Sequence, residues 1–225
     1  YGGEFTDRTR GWIETPQDLF NCIDINLRPI RQGPIRRPHF CGIDLGLIDD
    51  PTAVALVHLD DQGRIVQDYL EPLQAGYGQF ADCDRLDLDA VMDWIEALCR
   101  KFYVSKGIFA RWNGIPFEQG LTKRGLKQFE SIHFTKQLNS ECFKNFKDMM
   151  YEQRLVLYDW PLPENVHEGH SPHIAELLQL QAERHSMYIT VVEAPRGEGM
   201  HDDMSDALVR AVWAATQAIV SPKHM

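Results

Sequence analysis

The sequence predicts an α/β domain in which a mixed sheet is flanked by helices. Three successive apolar runs of strand length lie between residues 39 and 73, and the turn sequence "DDQGR" separates the second from the third. Further along, segments with helical spacing of apolar residues alternate with short apolar runs. The three runs in succession predict an antiparallel meander. The alternation that follows predicts additional strands with helices on the faces of the sheet.

The individual elements follow from composition and spacing, taken in chain order. The meander consists of "HFCGIDLGL", "TAVALVHL" and "IVQDYLEPL", and the helix "DAVMDWIEALCRKFY" has its apolar residues on one stripe. Next come the strand "SKGIFA", the helix "IPFEQGLTKRGL" with Pro116 near its first turn, the strand "SIHFTKQ" and the helix "ECFKNFKDMMYEQ". "RLVLYDW" and "MYITVVEA" are strands with the helix "SPHIAELLQLQAERH" between them, and the final helix begins at "HDDMSDAL".

The bulk composition limits the classes of function. The chain has 225 residues, is 44% hydrophobic and carries a formal net charge of -10, which suits one large domain with or without an arm. This acidity argues against binding nucleic acid through overall charge, but it allows an acidic metal site within a locally basic surface. No apolar run is long enough to cross a bilayer, so we expect a soluble protein without a membrane partner. Five cysteines without CxxC spacing indicate a reducing compartment and make zinc an unfavoured metal.

Residues 1–38 are rich in Arg, Pro and Gly, and they lack a sustained period apart from "TPQDLFNCI", which is compatible with a short capped helix. We interpret residues 1–38 as an arm or interdomain linker and residues 39–225 as the domain itself. A solvated linker and a DNA-contacting arm are equally compatible with this composition. In the second case Arg36 and Arg37 would contact DNA.

Four aspartates are the candidate functional residues. Asp44 lies in an apolar strand between Gly42 and Gly46, and no Lys or Arg nearby in the sequence is an evident partner for it. The last helix opens with the other three acids, which are Asp202, Asp203 and Asp206. Helical spacing places Asp203 closest to the buried stripe and Asp206 one turn further on the same side.

Capping of the last helix explains one aspartate near its N-terminus, and a buried backbone amide could explain the strand aspartate. Three acids in five residues exceed what capping requires. Asp44 together with Asp202, Asp203 and Asp206 therefore predicts oxygen ligands for a divalent metal ion.

The order of these motifs resembles the RNase H-like superfamily, and "DMSDALV" resembles the RuvC-type resolvases within it. The fuller set looks like the nuclease domain of tailed-phage large terminase subunits. It comprises "GIDLGLIDDPTAVALV", "GIFARWNGIPFEQGL", "FTKQLNSECFKNFKDMMYEQRLVLY" and "HDDMSDALVRAVW". The opening "YGGEFTDRTRGWIE" resembles the segment that leaves the packaging ATPase domain in those proteins. The resemblance implies a five-stranded core sheet, an antiparallel meander plus parallel strands, with an extra β-hairpin.

The resemblance also implies a function, which is metal-dependent cleavage of duplex DNA in viral genome packaging. Two Mg²⁺ or Mn²⁺ ions about 4 Å apart would act at a phosphate, with Asp44 bridging them and Asp203, helped by Asp202 or Asp206, holding one. The partners would be double-stranded DNA, an ATPase domain in the same polypeptide, the portal and the small terminase subunit. The location would be the host cytoplasm.

One position departs from the pattern of the family. These nucleases carry a further acid at the end of the strand after the first helix, and the matching residue is Ala110. An engineered substitution, a natural loss of activity and a repositioned ligand such as Glu118 are all compatible with the sequence. Arg111 has the wrong sign for a ligand, while His201 could bind the metal or orient an acid.

Basic residues after this strand are candidates for DNA contact, and ordinary solvated helix faces explain each one equally well. These candidates are Lys123, Arg124, Lys127 and Lys136, in addition to Arg36 and Arg37 of the arm. Two rival functions stay open. One is a catalytically inactive DNA-binding or docking module on the same fold, and the other is an actin-like phosphotransfer domain, which also begins with "GIDLG". The second rival requires later glycine-rich phosphate loops, and the sequence has none.

Overall fold

The computed structural model of the chain describes residues 10–34, 36–46, 51–111, 114–161, 169–197 and 200–220. Residues 1–9 of the predicted arm and residues 47–50 of the first family motif lie outside the described residues.

Two sheets contain all the named strands of this part of the chain. The main sheet has six strands in the order β6-β5-β2-β3-β4-β7, and the smaller sheet has three in the order β1-β8-β9. The strands are β1 (Arg10–Gly11), β2 (His39–Asp44), β3 (Thr52–Leu59), β4 (Ile65–Leu73), β5 (Val104–Ala110), β6 (Phe129–Ile132), β7 (Leu155–Val156), β8 (Gln181–Arg184) and β9 (Thr190–Glu193).

Strand directions in the main sheet determine which ends meet. Strands β2, β3 and β4 form the antiparallel meander, whereas β5 is parallel to β2 and β6 is parallel to β5. The carboxyl ends of β2, β5 and β6 therefore lie at one edge of the sheet, which we call the carboxyl edge, and their first residues lie at the opposite amino edge. The predicted mixed sheet is confirmed, and the extra hairpin is β8–β9, with β1 paired to its outer side.

Helices cover both faces of the main sheet. They are α1 (Pro16–Phe20), α2 (Leu88–Lys101), α3 (Gly114–Lys123), α4 (Lys136–Tyr151), α5 (Pro172–Gln179) and α6 (Asp203–Val220). One apolar core contains buried residues of α4, α5 and α6, and the other contains those of α2 and α3. Helix α6 lies directly on the centre of the sheet, against β2 and β3.

Gly42 explains how closely α6 approaches the sheet. A Cβ atom at this position would overlap the Ala207 carbonyl oxygen and the Ala211 amide nitrogen of the helix backbone. Only glycine permits this contact, so α6 is held against β2 two residues before Asp44. The close approach anticipated from the glycines flanking Asp44 is present at Gly42.

Two of the boundaries that differ from the sequence prediction have an evident physical cause. Helix α5 ends at Gln179, and the segment that continued its helical pattern forms β8, because β1 and β9 offer backbone partners on both sides. Strand β6 begins and ends earlier than predicted, because its pairing with β5 covers residues 129–132 and Thr135 then caps α4 through the amide of Leu138.

The described part of the predicted arm packs against the domain. Trp12, Ile13, Leu19 and Cys22 are buried in the core beneath α4 and α6. The origin of residues 1–38 as a linker from an ATPase domain stays a prediction. Among the described residues, no helix combines the length and the apolar character that crossing a membrane requires.

Candidate metal centre

Asp44 is the last residue of β2, and its side chain projects from the face that α6 covers. Side chains alternate along a strand, so Asp44 shares its face with Gly42, which contacts the α6 backbone. Ile43 points the other way, into the core formed with α2 and α3. The alternation of side chains along β2 therefore places the Asp44 carboxylate at the carboxyl edge of the sheet, beneath the first turns of α6.

A single cation joins this carboxylate to the last helix. Arg210 Nη1 lies 2.5 Å from Asp44 Oδ1, and Arg210 Nη2 lies 2.6 Å from Asp206 Oδ2. The same Nη1 donates a hydrogen bond of 2.9 Å to the carbonyl oxygen of Ile43. Of the three aspartates on the helix, Asp206 therefore shares a cation with Asp44, although helical spacing had favoured Asp203 for the position closest to the sheet.

Arg210 is a residue of the candidate site that the sequence analysis missed. Its side chain is 7% exposed, and its Cζ lies 5.0 Å from the centroid of the Phe134 ring. Burial by itself would lower the pKa of Arg210, but Asp206 and Asp44 raise it above the ordinary arginine value. The available signal was the spacing of four residues from Asp206 to Arg210, which places the two side chains on one side of a helix.

Other carboxylates surround the opening of α6. Asp202 Oδ2 accepts a hydrogen bond of 3.0 Å from the Ala194 amide, and Asp203 Oδ2 lies 3.5 Å from Nδ1 of His201. The buried Glu176 of α5 accepts a 2.6 Å hydrogen bond from the amide of Ser205 and so caps the helix from outside. Glu176 had not been singled out from the sequence, because nothing local distinguishes it from a surface acid of an amphipathic helix.

Two of the acids near the start of α6 have raised pKa values. Burial, followed by the nearby Asp203 and Asp202, raises the pKa of Glu176 to about 8. Burial also raises the pKa of Asp206, assisted by Asp44, and Arg210 only partly opposes this effect. Negative charge is therefore in excess around one guanidinium, an arrangement typical of a functional site rather than of a structural ion pair.

The expected second acid is absent from the strand beside Asp44. Strands β2 and β5 are parallel with Ile43 opposite Phe109, so Ala110 is the neighbour of Asp44 at the carboxyl edge. Ile108 belongs to the core beneath α6, and alternation places Ala110 on that same face. Only a methyl group projects where the family pattern has a carboxylate.

Glu118 lies on the other side of the sheet. Its Oε2 accepts hydrogen bonds from the amide and the hydroxyl of Ser131, and these bonds lower its pKa. Ser131 pairs with Phe109, whose side chain belongs to the core on the α2 and α3 face. The geometry therefore argues against Glu118 as the replacement ligand, and the exposed Arg111 adds a positive charge beside Ala110.

The donor set suits one divalent cation better than two. Carboxylate oxygens are the ligands that Mg²⁺ and Mn²⁺ prefer, and the guanidinium of Arg210 marks a position where Asp44 and Asp206 both face one cation. Within the described residues, one group of three or more His, Cys, Asp or Glu side chains has its ligand atoms all within 4.8 Å of one another. That group is formed by His39, His58 and Asp68, away from the carboxyl edge. The acids at the carboxyl edge would therefore bind a metal ion only at the position that the Arg210 guanidinium occupies. Ala110 adds no ligand for a second ion.

The six basic residues predicted to contact DNA do not share one edge. Lys136 is exposed at the start of α4, directly after β6, and so lies at the carboxyl edge with the acids. Arg36 and Arg37 precede β2, and Lys127 precedes β6, so these three lie at the amino edge.

The remaining two predicted DNA contacts lie on α3 and directly after it. Arg124 pairs with Asp93 at 2.8 Å and with Asp89 at 3.1 Å, so α2 already supplies partners for its charge. Lys123 lines a groove of about 490 Å³ with Arg111, Glu118 and Ser131. For all six residues, contact with DNA stays a prediction.

Comparison with known proteins agrees with this geometry at the level of the fold. No protein-family model matches the chain. No curated protein matches it in sequence. Among solved structures, it is similar to the large terminase nuclease of thermophilic phage G20c, with a TM-score of 0.64 and 15% identity over 89% of this chain and 96% of that one.

Two further terminase structures match. The large terminase of bacteriophage HK97 gives a TM-score of 0.65 with 14% identity over 91% of this chain, which spans 43% of the HK97 chain. The nuclease domain of the SPP1 large terminase, solved with bound Mn, gives a TM-score of 0.50 with 15% identity over 87% of this chain and 94% of that one. The chain therefore has the RNase H-like fold of large terminase nuclease domains, as its motifs predicted.

Proposed function

We propose that this chain is the nuclease domain of a viral DNA-packaging terminase and that it hydrolyses duplex DNA with the help of Mg²⁺ or Mn²⁺. One observation supports this proposal above the others. Asp44, at the end of β2, and Asp206, in the first turns of α6, face a common cation at the carboxyl edge of the sheet. Ordinary capping of α6 does not require a carboxylate from a different element at that position.

In this proposal, Asp44 and Asp206 hold the ion, and Asp202 and Asp203 add negative charge around it. A divalent ion bound there would activate water and stabilise charge on a phosphate oxygen. The exposed Lys136 at the same edge would contact the DNA backbone. A two-ion arrangement requires a further ligand, since Ala110 supplies none.

The remaining parts of the proposal concern the larger assembly. The match to 43% of the HK97 terminase chain is compatible with an ATPase domain elsewhere in the same polypeptide. We propose the portal and the small terminase subunit as further partners, and the host cytoplasm as the location. These follow from the proposed terminase function.

A second candidate function is a catalytically inactive DNA-binding module on the same fold. The combination of Ala110 with Arg210 favours it, because a methyl group and a buried cation lie where metal ligands would be needed. An actin-like phosphotransfer domain finds no comparable support in the site.

Cleavage of supercoiled plasmid in Mn²⁺ separates the two candidates. We would compare the unaltered chain with the Ala110→Asp and Ala110→Asp/Arg210→Gln variants, each with and without Asp44→Asn. The nuclease proposal expects cleavage by the unaltered chain and its loss on adding Asp44→Asn, whereas cleavage only by the Ala110→Asp proteins would favour the inactive module. Binding of DNA without cleavage in every variant would favour the inactive module, and cleavage that survives Asp44→Asn would refute the assigned site.

A further inference from the structure

Arg210 spans the carboxyl edge of the sheet. Its guanidinium contacts Asp44 on β2 and lies against Phe134, which follows β6. In the sheet, β5 lies between β2 and β6, so Ala110, the last residue of β5, comes between the strand that carries Asp44 and the strand that Phe134 follows. Ala110 is the neighbour of Asp44 on the face that α6 covers, and its methyl group adds no carboxylate to the two that Arg210 already contacts.

The hydrogen bonding of Arg210 shows what holds it there. Its Nη atoms contact Asp44, Asp206 and the Ile43 carbonyl oxygen, but the buried Nε has no hydrogen-bond partner among the described residues. An unsatisfied buried donor carries a free-energy cost, so the two ion pairs, together with the Phe134 contact, must outweigh it. Attraction to the paired carboxylates therefore determines this position of the side chain.

We propose that Arg210 is an internal competitor for the metal position, and that Asp44 and Asp206 bind a divalent ion only when its guanidinium moves away from them. The proposal rests on the proposed function, because that function makes these two carboxylates the ion ligands. Charge supports the competition. Asp203 and Asp206 lie in the first turns of α6, Asp202 directly precedes the helix, and Asp44 shares the guanidinium with Asp206, so a divalent ion gains more than a monovalent guanidinium from the same surroundings.

The test is thermal unfolding with and without excess MnCl₂. The proteins are the unaltered chain, Arg210→Gln, and Arg210→Gln/Asp44→Asn, with Arg100→Gln as the control because Arg100 is 73% exposed and distant in sequence from these acids. We expect Mn²⁺ to raise the Tm of Arg210→Gln by roughly 5–10 °C, since saturating a newly accessible site stabilises the folded state. The unaltered chain and Arg100→Gln should gain at most about a third of this, and the added Asp44→Asn should abolish the gain.

Equal Tm gains in the unaltered chain and in Arg210→Gln would overturn the proposal. If Arg210→Gln does not fold, Arg210→Met serves instead, because a methionine fills part of the buried space of the arginine without carrying a positive charge. Its gain in Mn²⁺ must again exceed that of the unaltered chain, and an equal gain overturns the inference.

Cleavage plays no part in this measurement, so the two proposals can fail separately. If Mn²⁺ raises the Tm of Arg210→Gln as expected but none of the variants cuts DNA, the competition proposal stands and the nuclease proposal fails. If the unaltered chain cuts DNA and gains as much Tm in Mn²⁺ as Arg210→Gln does, the nuclease proposal stands and the competition proposal fails.

Discussion

The two ends of strand β2 carry buried charged clusters that differ in balance. At the carboxyl edge, Asp44 and Asp206 share one guanidinium, and further acids surround them. At the amino edge, roughly 17 Å away along the strand, Asp68 accepts a 2.5 Å hydrogen bond from Nδ1 of His58, and Nε2 of His39 lies 3.4 Å from the same carboxylate.

The amino-edge cluster is balanced by its own residues. Arg37 Nη1 lies 3.2 Å from Nε2 of His58, which therefore accepts a hydrogen bond while Nδ1 of the same ring donates to Asp68. A histidine that bound metal through Nδ1 would carry a proton on Nε2, so the arginine argues against a metal at this cluster. Burial by itself would raise the pKa of Asp68, but hydrogen bonds from His39 and His58 lower it below the ordinary value.

The difference between the two ends indicates which one is functional. Hydrogen bonds to the ionised carboxylate lower the pKa of Asp68, which is what a structural network does. At the carboxyl edge, burial and neighbouring acids raise the pKa of Glu176 and of Asp206. Negative charge concentrated at a cost to stability supports the proposed binding of an external cation at the carboxyl edge.

The largest expected effect is at the amino edge. Asp68→Ala removes the only carboxylate of a buried cluster and leaves two histidines and Arg37 without it, so we expect a loss of about 3–5 kcal/mol in the free energy of unfolding. Urea denaturation measures it, with Asp148→Ala as the control, because that exposed pair with Lys144 should contribute less than about 1 kcal/mol. Equal losses in the two variants would mean that the amino-edge cluster is not structural.

The pH dependence of stability should have opposite signs at the two ends. The folded pKa of Glu176 is raised from 4.5 to about 8, so its contribution is fully present below 4.5 and is lost as the pH rises through about 8. The folded pKa of Asp68 is lowered, so its contribution is present above 3.8 and is lost as the pH falls through the folded value.

Glu176→Gln isolates the first of these effects. Each unit of pKa shift corresponds to about 1.4 kcal/mol. Between pH 5 and 8 we therefore expect the free energy of unfolding to fall less in Glu176→Gln than in the unaltered chain, with a difference on the order of 2–4 kcal/mol. Urea unfolding across this range measures the two slopes. Parallel slopes would show that the acids around α6 are not crowded in solution.

Gly42→Ala should loosen the carboxyl edge alone. The added methyl group overlaps the backbone of α6, so we expect a loss of about 1–3 kcal/mol and faster amide exchange in that helix. Gly11→Ala is the matched control, since its new Cβ would lie 3.6 Å from the nearest atom, the Ile13 carbonyl oxygen. Faster exchange at His58 and its strand to the same extent would show that the two ends are not independent.

The smallest expected effect concerns DNA. Lys136→Ala, at the carboxyl edge, should reduce duplex affinity a few-fold and lower the slope of log affinity against log salt by about one. Fluorescence anisotropy at several salt concentrations measures this, with the equally exposed Lys127 at the amino edge as the matched control. A larger effect from Lys127→Ala would place the DNA at the edge that lacks the acids.

How much could be predicted is clearest from the last helix. The cluster of acids at its start and the stripe that faces the sheet follow from spacing alone, whereas the glycines beside Asp44 indicated a close approach without showing that this helix makes it. Asp206 rather than Asp203 shares a cation with Asp44, because the rotation of the helix on the sheet depends on the contact at Gly42. That contact joins residues far apart in sequence.

The sequence by itself determined the mixed sheet, the helices on its faces and the aspartates at the end of β2 and the start of α6, because local periodicity and composition encode these features. Only the tertiary structure decided that Arg210 is the partner of Asp44, that Ala110 is the neighbour of Asp44 on β5 and that Glu118 is on the opposite face. These three results depend on which strands are neighbours and how closely a helix approaches them. Both are set by packing between residues more than a hundred positions apart in the chain.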